Sequence, residues 1–352
     1  MEAARPLSWG VGCWQTHVFD DLLGMVEVAE RHGFDHFWYG NEKLHPDMWI
    51  GLAGVALNSR RVRIGTFIAD PYSIHPALTA AAIATLDHYS GGRAVLVFGA
   101  GGSGLRELGI SRTRPVATVE AAVTLVRSLL CGERVQCDGP IFVADAQLHF
   151  PARPDLPIWI ASRAPGMLEL AGRIGDGAMI GTIATPAGIV QARERIQAGA
   201  ASARRALSDL TVSVRVDVSV DDDPGVARDG LRGFIAGILS ASYPDRGFIE
   251  SAGIEVPAEL EAICRTKDLR LAWQSGHLVP DELVDALAWA GTAFEVAERV
   301  AAAIEIGVDN ITLMFHPQAG DPAQQLDRFA RDVVPRVAAL HGVAALRPKG
   351  ER

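Results

Sequence analysis

The sequence has few cysteines, no excess of positive charge and no long hydrophobic run, and each shortage excludes a class of protein. Its 352 residues include only 4 cysteines and no C-x-x-C pair, so neither a disulfide framework nor a redox dithiol is predicted. The formal net charge of -9 disfavours nucleic acid as a partner, because a phosphate backbone requires clustered Lys and Arg. No run reaches the roughly 18 apolar residues of a membrane helix, and residues 1–9 lack the pattern of a secretion signal. We therefore expect a cytoplasmic protein without membrane contact.

Motifs for a catalytic or structural metal are also missing. There is no H-E-x-x-H sequence, and the 10 histidines are scattered along the chain. His32 and His36 flank Gly33 at the end of a predicted helix, so they do not share a helical face. We expect no metal site.

The chain does contain a repeated alternation of short apolar runs and amphipathic helices, which predicts a parallel α/β fold. Apolar residues make up 49% of the sequence, enough for a large core. Eight strands in a chain of this length predict one α/β domain, a (β/α)8 TIM barrel over residues 1–352. The predicted strands are 7–13, 34–40, 62–69, 94–98, 157–161, 177–181, 210–220 and 310–315, and the first four helices are 18–32, 48–58, 76–88 and 116–129.

Two segments interrupt this rhythm. Residues 134–153 combine Gly and Pro with alternating apolar residues, which favours a surface hairpin or loop. Residues 221–286 open with an acidic turn and continue as helices, and they are too long for a single crossover. We therefore predict a helical insertion at about 221–286, between strands 7 and 8, that forms a lid or an oligomer contact.

A glycine-rich turn at 99–104 follows the predicted strand 94–98 and fits the pattern G-x-G-x-x-G. A dinucleotide-binding turn requires a helix to open at once and an acidic residue about 20 positions on, and neither is indicated here. A second alternative is that the glycines simply end the strand. In the third, they expose the main chain, so that a flat ring or a phosphate contacts backbone N–H groups.

Several segments taken together resemble methylenetetrahydromethanopterin reductase, a deazaflavin-dependent enzyme of the luciferase-like monooxygenase superfamily. They are RIGTFIADPYSIHPALTAAAIATLD at 63–87, SGGRAVLVFGAG at 90–101, IWIASRAP at 158–165 and GDGAMIG at 175–181. The likeness extends over most of the chain. It implies a TIM barrel that binds coenzyme F-420, with FMN as the alternative, and relatives make a homodimer the expected assembly.

The resemblance also implies a cofactor site. Relatives carry a cis peptide bond between non-prolyl residues in the third strand, where a bulge backs the deazaflavin ring. The matching bond here is Phe67-Ile68, although an ordinary buried strand remains the alternative. Ser162 and Arg163 would bind an anionic group, and a salt bridge or a helix cap explains them as well. The residues expected to bind the cofactor are Asn41, Phe67, Ile68, Ala69, Gly99, Ala100, Gly101, Gly102, Ala161, Ser162, Arg163, Gly181 and Thr182.

The chain departs from the reductases at the end of the second strand. Asn41-Glu42 stands where they have Asp-His, and Gly12 stands where they have a first-strand Glu. We expect Asn41 to touch the coenzyme and Glu42, in a polar group with Lys43 and His45, to assist substrate protonation or orientation. A solvated loop carboxylate is the alternative for Glu42. These changes place a pterin substrate in doubt.

The resemblance therefore predicts an oxidoreductase that transfers a hydride from reduced F-420 to a small organic substrate with a C=C, C=N or pterin-like acceptor. One alternative is an FMN-dependent monooxygenase that uses reduced flavin and oxygen. Another is a barrel that binds a flavin or deazaflavin without catalysis.

Overall fold

The structure, a computed structural model, describes residues 7–16, 18–102, 104–250, 253–341 and 346. Eight parallel strands form a closed ring in which every strand pairs with two neighbours. The predicted (β/α)8 barrel is therefore confirmed. Its strands are β1 (Ser8–Cys13), β2 (His36–Gly40), β3 (Arg63–Phe67), β4 (Ala94–Phe98), β5 (Ile158–Ser162), β6 (Gly177–Gly181), β7 (Thr211–Val220) and β8 (Asn310–Met314).

Helices cover the outside of the ring, and local sequence determines where they begin and end. Gly33, at φ 82°, ends the first helix in the left-handed conformation that glycine favours, and Pro76 occupies the first turn of the third. Both positions were predicted. The helices that alternate with the first seven strands are α1 (Phe19–His32), α2 (Met48–Asn58), α3 (Pro76–Tyr89), α4 (Pro115–Leu130), α5 (Pro165–Ile174) and α6 (Pro186–Ser202).

The two predicted interruptions are both present. The segment after α4 forms an antiparallel hairpin from Val135–Cys137 and Val143–Ala146. The segment after β7 is helical and has a hydrophobic core of its own, which includes Leu231, Ile235 and Leu283. Its helices are α7 (Pro224–Ser242), α8 (Gly247–Glu250), α9 (Ala258–Thr266), α10 (Leu269–Gln274) and α11 (Asp281–Leu287).

One strand was not predicted. Ala288–Gly291 follows α11 and pairs in parallel with β7, from Asp217 to Val220. β6 pairs with the same edge of β7, but only as far as Arg215. The remaining residues of that edge can therefore pair with another strand. Four residues are too few to give a recognisable pattern. The chain then continues through α12 (Ala293–Glu305), β8, α13 (Pro322–Arg328) and α14 (Val334–His341).

Side chains fill the inside of the barrel below its mouth, the open end at which the eight strands terminate. Trp38, Val95, Val97, Trp159 and Met179 form a buried cluster there, and Phe67, Ile68 and Ala161 pack against it. These last three residues belong to the predicted site, so the cluster supports the site from below. No helix within the described ranges is long and apolar enough to span a bilayer. All 4 cysteines are free thiols.

Candidate functional site

The predicted cofactor residues lie on neighbouring strands at one end of the barrel. Gly40 of β2 pairs with Phe67 of β3, Phe98 of β4 pairs with Ile160 of β5, and Gly181 of β6 pairs with Arg215 of β7. Because parallel strands end at the same face, the residues that follow them surround one mouth, where barrel enzymes assemble their sites. Asn41, Phe67–Ala69, Gly99–Gly102, Ala161–Arg163 and Gly181–Thr182 are thus brought together.

A main-chain ledge crosses this mouth at the end of β3. The Phe67-Ile68 peptide bond is cis, as predicted. Asn41 Nδ2 donates a hydrogen bond to the Ile68 carbonyl oxygen over 2.8 Å. Ala69 N donates to Val97 O over 2.9 Å, and Gly99 N donates to Ala69 O over 3.0 Å. Hydrogen bonds from β2 and β4 therefore hold the ledge in place.

The glycine-rich turn leaves open space beside the ledge. A Cβ atom on Gly99 would lie 2.2 Å from Ile68 Cδ1, so glycine lets the Ile68 side chain occupy this position. A Cβ atom on Gly102 or on Gly181 would meet no described atom within 4 Å. The amides of Ala100 and Gly101 donate to no described residue. A flat ring beside the ledge and a phosphate at the turn fit this cradle.

The dinucleotide-binding alternative for this turn is wrong. Residues 105–113 form turns and loop, and α4 begins only at Pro115, so no helix opens at the glycines. The amino-terminal dipole that such a fold uses to bind a pyrophosphate is therefore not available at this turn.

A buried ion pair lies beneath the turn. Lys43 Nζ is 2.7 Å from Asp70 Oδ2, and their side chains are 11% and 0% exposed. Asp70 also accepts hydrogen bonds from Tyr72 N and from the amide and hydroxyl of Ser73. Burial alone would raise the pKa of Asp70, but the bonds from Lys43 and Ser73 hold it below its usual value. Lys43 thus forms its ion pair with Asp70, while its charge, like that of His45, also acts on Glu42.

Glu42 lies at the mouth with a half-buried side chain. Its backbone N–H donates to Gln15 Oε1 over 2.5 Å, and its carbonyl accepts from Gln15 Nε2 over 3.1 Å. No described residue hydrogen-bonds to its carboxyl group. Burial raises the pKa of Glu42, and the charges of His45, Lys43 and Arg215 only partly oppose the rise. The carboxyl therefore keeps its proton to higher pH than an ordinary Glu.

Ser162 and Arg163 are engaged within the protein. Ser162 Oγ accepts a hydrogen bond from Ala164 N over 3.0 Å, which is a local turn contact. Arg163 donates to Ser242 Oγ at the end of α7, and its guanidinium lies 4.0 Å from the ring centre of Phe248. Burial lowers the pKa of Arg163 to about 10. Ser162 makes neither a salt bridge nor the helix cap, since the N-cap is Ala164 and has no side-chain cap bond. Arg163 connects the mouth to the insertion.

The structure adds a buried triad that sequence reasoning missed. Both terminal nitrogens of Arg215 bond to the two carboxylate oxygens of Asp217, each over 2.6 Å, and His316 Nε2 lies 2.6 Å from Asp217 Oδ1. Arg215 Nη1 also donates to Oγ1 of Thr182, a predicted cofactor residue, over 3.0 Å. A signal was present in β7, where Ser213, Arg215, Asp217 and Ser219 alternate with valines. Such alternation marks polar residues on one face of a strand.

Aromatic rings enclose this triad. The Arg215 guanidinium carbon lies 5.8 Å from the Trp14 ring, 5.6 Å from the Phe67 ring and 5.9 Å from the Phe234 ring. Phe234 comes from α7, so the insertion supplies one of the aromatic rings around the triad. Arg215 Nε and Trp14 Nε1 are buried without a partner in the part of the chain that the structure describes. A buried donor left unpaired costs about 1–3 kcal/mol, which a ligand acceptor would relieve.

A cavity lies at the opposite end of the barrel. It has a volume of about 520 Å³ and is lined at the amino-terminal ends of the strands by Ser8, His36 and Thr211, among others. Barrel enzymes place their chemistry at the carboxyl ends, and the amino-terminal face serves stability. We therefore assign the functional site to the mouth. No group of three or more potential metal ligands is found among the described residues.

Comparison with known proteins agrees with this architecture. The family described as "Luciferase-like monooxygenase" matches residues 8–310. The 5,10-methylenetetrahydromethanopterin reductase of Archaeoglobus fulgidus is 32% identical over 323 residues, which cover 90% of this chain and 96% of that protein. The F-420-dependent glucose-6-phosphate dehydrogenase of Beutenbergia cavernae is 31% identical over 347 residues, covering 91% and 94%.

The fold is also found in a solved structure. The coenzyme F-420-dependent tetrahydromethanopterin reductase of Methanopyrus kandleri superposes with a TM-score of 0.84 at 22% identity, over 94% of this chain and 99% of that one. At this identity the superposition supports the fold alone. The family match covers well over half of the sequence, and both relatives align over nearly its whole length. The chain belongs to the luciferase-like monooxygenase family.

Proposed function

We propose that this protein is an oxidoreductase that transfers a hydride from reduced coenzyme F-420 to a small organic substrate. The observation that carries the proposal is the main-chain ledge at Phe67–Ala69 together with the open space at Gly102 and Gly181, on the same mouth of the barrel. The relatives support the choice of coenzyme, because one of them is F-420-dependent by name. The acceptor would be a C=C or C=N bond or a pterin-like ring.

The residues of the mouth suit each part of the coenzyme. When bound, F-420 supplies a hydride from its central ring. The backbone of Phe67, Ile68 and Ala69 would support that ring, and Asn41 holds the ledge from β2. The amides of Ala100 and Gly101, which donate to no described residue, would donate to a phosphate. The protein contributes position and exclusion of water, which are the usual contributions of a cofactor enzyme.

Glu42 provides a test that depends on pH. We propose that its carboxyl assists substrate protonation or orientation in the neutral form, which the raised pKa favours. The wild-type rate is then expected to fall as pH rises through that pKa. Glu42→Gln has no acidic proton and cannot ionise, so in either role it should lose this alkaline decline. If Glu42 protonates the substrate, the variant should also be about 10-fold or more slower at low pH, whereas a role in orientation alone leaves that rate near the wild-type value. Single-turnover oxidation of reduced F-420 across pH measures both effects. An unchanged rate and profile would remove Glu42 from the mechanism.

Titration with the two candidate cofactors tests the proposal. The purified protein is titrated with F-420 and, separately, with FMN, and binding is followed by fluorescence quenching. We expect tighter binding of F-420, and we expect its reduced form to be oxidised by one of a small set of acceptors that includes 5,10-methylenetetrahydromethanopterin and acetone. Tighter binding of FMN would overturn the choice of coenzyme.

The second candidate is an FMN-dependent monooxygenase, which the description of the matching family favours. It predicts consumption of oxygen with reduced FMN, whereas hydride transfer proceeds under nitrogen. If neither cofactor binds, the remaining alternative is a barrel without this catalysis. The homodimer and the cytoplasmic location stay predictions.

A further inference from the structure

A buried histidine at the end of β8 uses only one of its two ring nitrogens. His316 is 2% exposed, and its Nε2 bonds to Asp217 Oδ1 over 2.6 Å. No described residue hydrogen-bonds to its Nδ1. Because a carboxylate only accepts hydrogen bonds, the neutral ring carries its proton on Nε2 and keeps a lone pair on Nδ1. One nitrogen is therefore anchored and the other is available to a ligand.

Asp217, the residue that holds His316, is itself held in place by a partner of opposite charge. Asp217 receives two parallel hydrogen bonds from Arg215, so both of its oxygens are positioned and its charge is balanced. A carboxylate buried without such a partner would be strongly destabilising. This arrangement fixes the position and direction of the imidazole, which an acid–base histidine requires.

The surroundings connect this histidine to the ledge. The His316 ring centre lies 3.7 Å from that of Phe234 and 5.7 Å from that of Trp14. Trp14 in turn packs edge-on against Phe67, the residue before the cis bond, with ring centres 6.2 Å apart. The Trp14 ring therefore lies between the ledge and the histidine. Where such rings exclude water from a bound substrate, electrostatic interactions are stronger.

We propose that His316 exchanges a proton with the substrate during hydride transfer, with Asp217 and Arg215 as positioning residues. This inference rests on the function proposed above. It selects the C=N bond from the acceptors proposed above and adds the C=O bond, because in both a heteroatom takes the proton. The carbon accepts the hydride, the π bond breaks, and the oxygen or nitrogen takes the proton from Nδ1 of the imidazolium. The substrate is reduced and the coenzyme is oxidised, while the neutral imidazole regains a proton from solvent. Glu42 then keeps the orienting part of its proposed role.

Glutamine at position 316 tests the histidine. In His316→Gln, the side-chain amide still donates to Asp217, but no group that exchanges protons remains. With acetone and with 5,10-methylenetetrahydromethanopterin as probes, we expect kcat to fall by about 100-fold or more, while KM and the Kd for F-420 stay within about twofold. The matched control is His32→Gln, which alters another His–Asp pair, with 2.7 Å between His32 Nε2 and Asp327 Oδ1, outside the mouth. It should keep the wild-type kcat. A wild-type kcat in His316→Gln overturns the proposal.

Asparagine at position 217 tests the positioning role. Asp217→Asn keeps the shape of the side chain but removes the charge of the carboxylate that positions the imidazole. A lower kcat with unchanged KM and unchanged coenzyme affinity is expected. Proportional losses in kcat and in coenzyme affinity would instead indicate a structural role and contradict the assignment.

A second readout needs no substrate. In protein labelled with 15N-histidine, the His316 signals are identified by their loss in His316→Gln. At alkaline pH we expect a proton on Nε2 and an unprotonated Nδ1. A proton on Nδ1 under those conditions overturns the proposal. If the wild-type protein turns over neither probe, this NMR readout alone decides whether the proposal for His316 stands. Failure of the wild-type protein to bind F-420 counts against the proposed function only, so the two failures are distinguishable.

Discussion

Replacing Gly102 or Gly181 by valine is expected to weaken F-420 binding by about 10- to 100-fold, equivalent to about 1.4–2.8 kcal/mol, without lowering the stability of the protein. A Cβ atom at either position meets no described atom within 4 Å, and neither glycine has a positive φ. The fold therefore accepts the larger side chain. The added methyl groups would occupy the space that we assign to the coenzyme. Fluorescence titration and thermal unfolding measure the two quantities.

A glycine outside the mouth supplies the matched control. Gly24 lies in α1, and a Cβ atom there also meets nothing within 4 Å. Gly24→Val should leave both the coenzyme Kd and the unfolding temperature near those of the wild-type protein. Wild-type affinity in both Gly102→Val and Gly181→Val would contradict the assigned position of the coenzyme.

Asp217→Leu is expected to destabilise the protein by about 3–5 kcal/mol, the usual effect of removing one partner of a buried ion pair. Arg215 is 4% exposed, and Asp217 accepts from both of its terminal nitrogens. An arginine cannot lose its proton to escape the cost of burial. Loss of Asp217 would therefore leave an uncompensated charge among Trp14, Phe67 and Phe234. Urea unfolding of the variant and the wild-type protein measures the difference.

The double variant separates charge from packing. Arg215→Met combined with Asp217→Leu removes both charges and replaces them with apolar side chains, which is often neutral or stabilising for a buried pair. The double variant should then be more stable than Asp217→Leu alone. If it is less stable, packing contacts and not the ion pair account for the loss.

Local sequence was sufficient for much of the barrel. Met48–Asn58, Ala94–Phe98 and Gly177–Gly181 have the predicted bounds, because periodic or continuous apolar runs end at turn residues there. The hairpin and the insertion followed from composition and length. The cis bond at Phe67-Ile68 followed from the family resemblance, since no local pattern indicates such a bond.

Long-range contacts could not be predicted from the sequence. Asp217 and His316 are 99 residues apart, and nothing local to either one indicates that β7 and β8 place them together. The polar alternation along β7 was visible, but without a partner it does not distinguish a site from a solvated strand face. The insertion was recognised as helical, yet the contact of Phe234 with His316 depends on how its helices pack. Lys43 acts on Glu42 as its position in the sequence suggests, but its ion pair with Asp70 depends on tertiary contact.

A crystal structure of the protein with F-420 tests the central claim most directly. We predict electron density for the tricyclic ring against the backbone of Phe67, Ile68 and Ala69, with its phosphate near Ala100 and Gly101. Density for the ring in the cavity beside His36 and Thr211, at the other end of the barrel, would contradict the account. So would a mouth filled by side chains in the presence of saturating coenzyme.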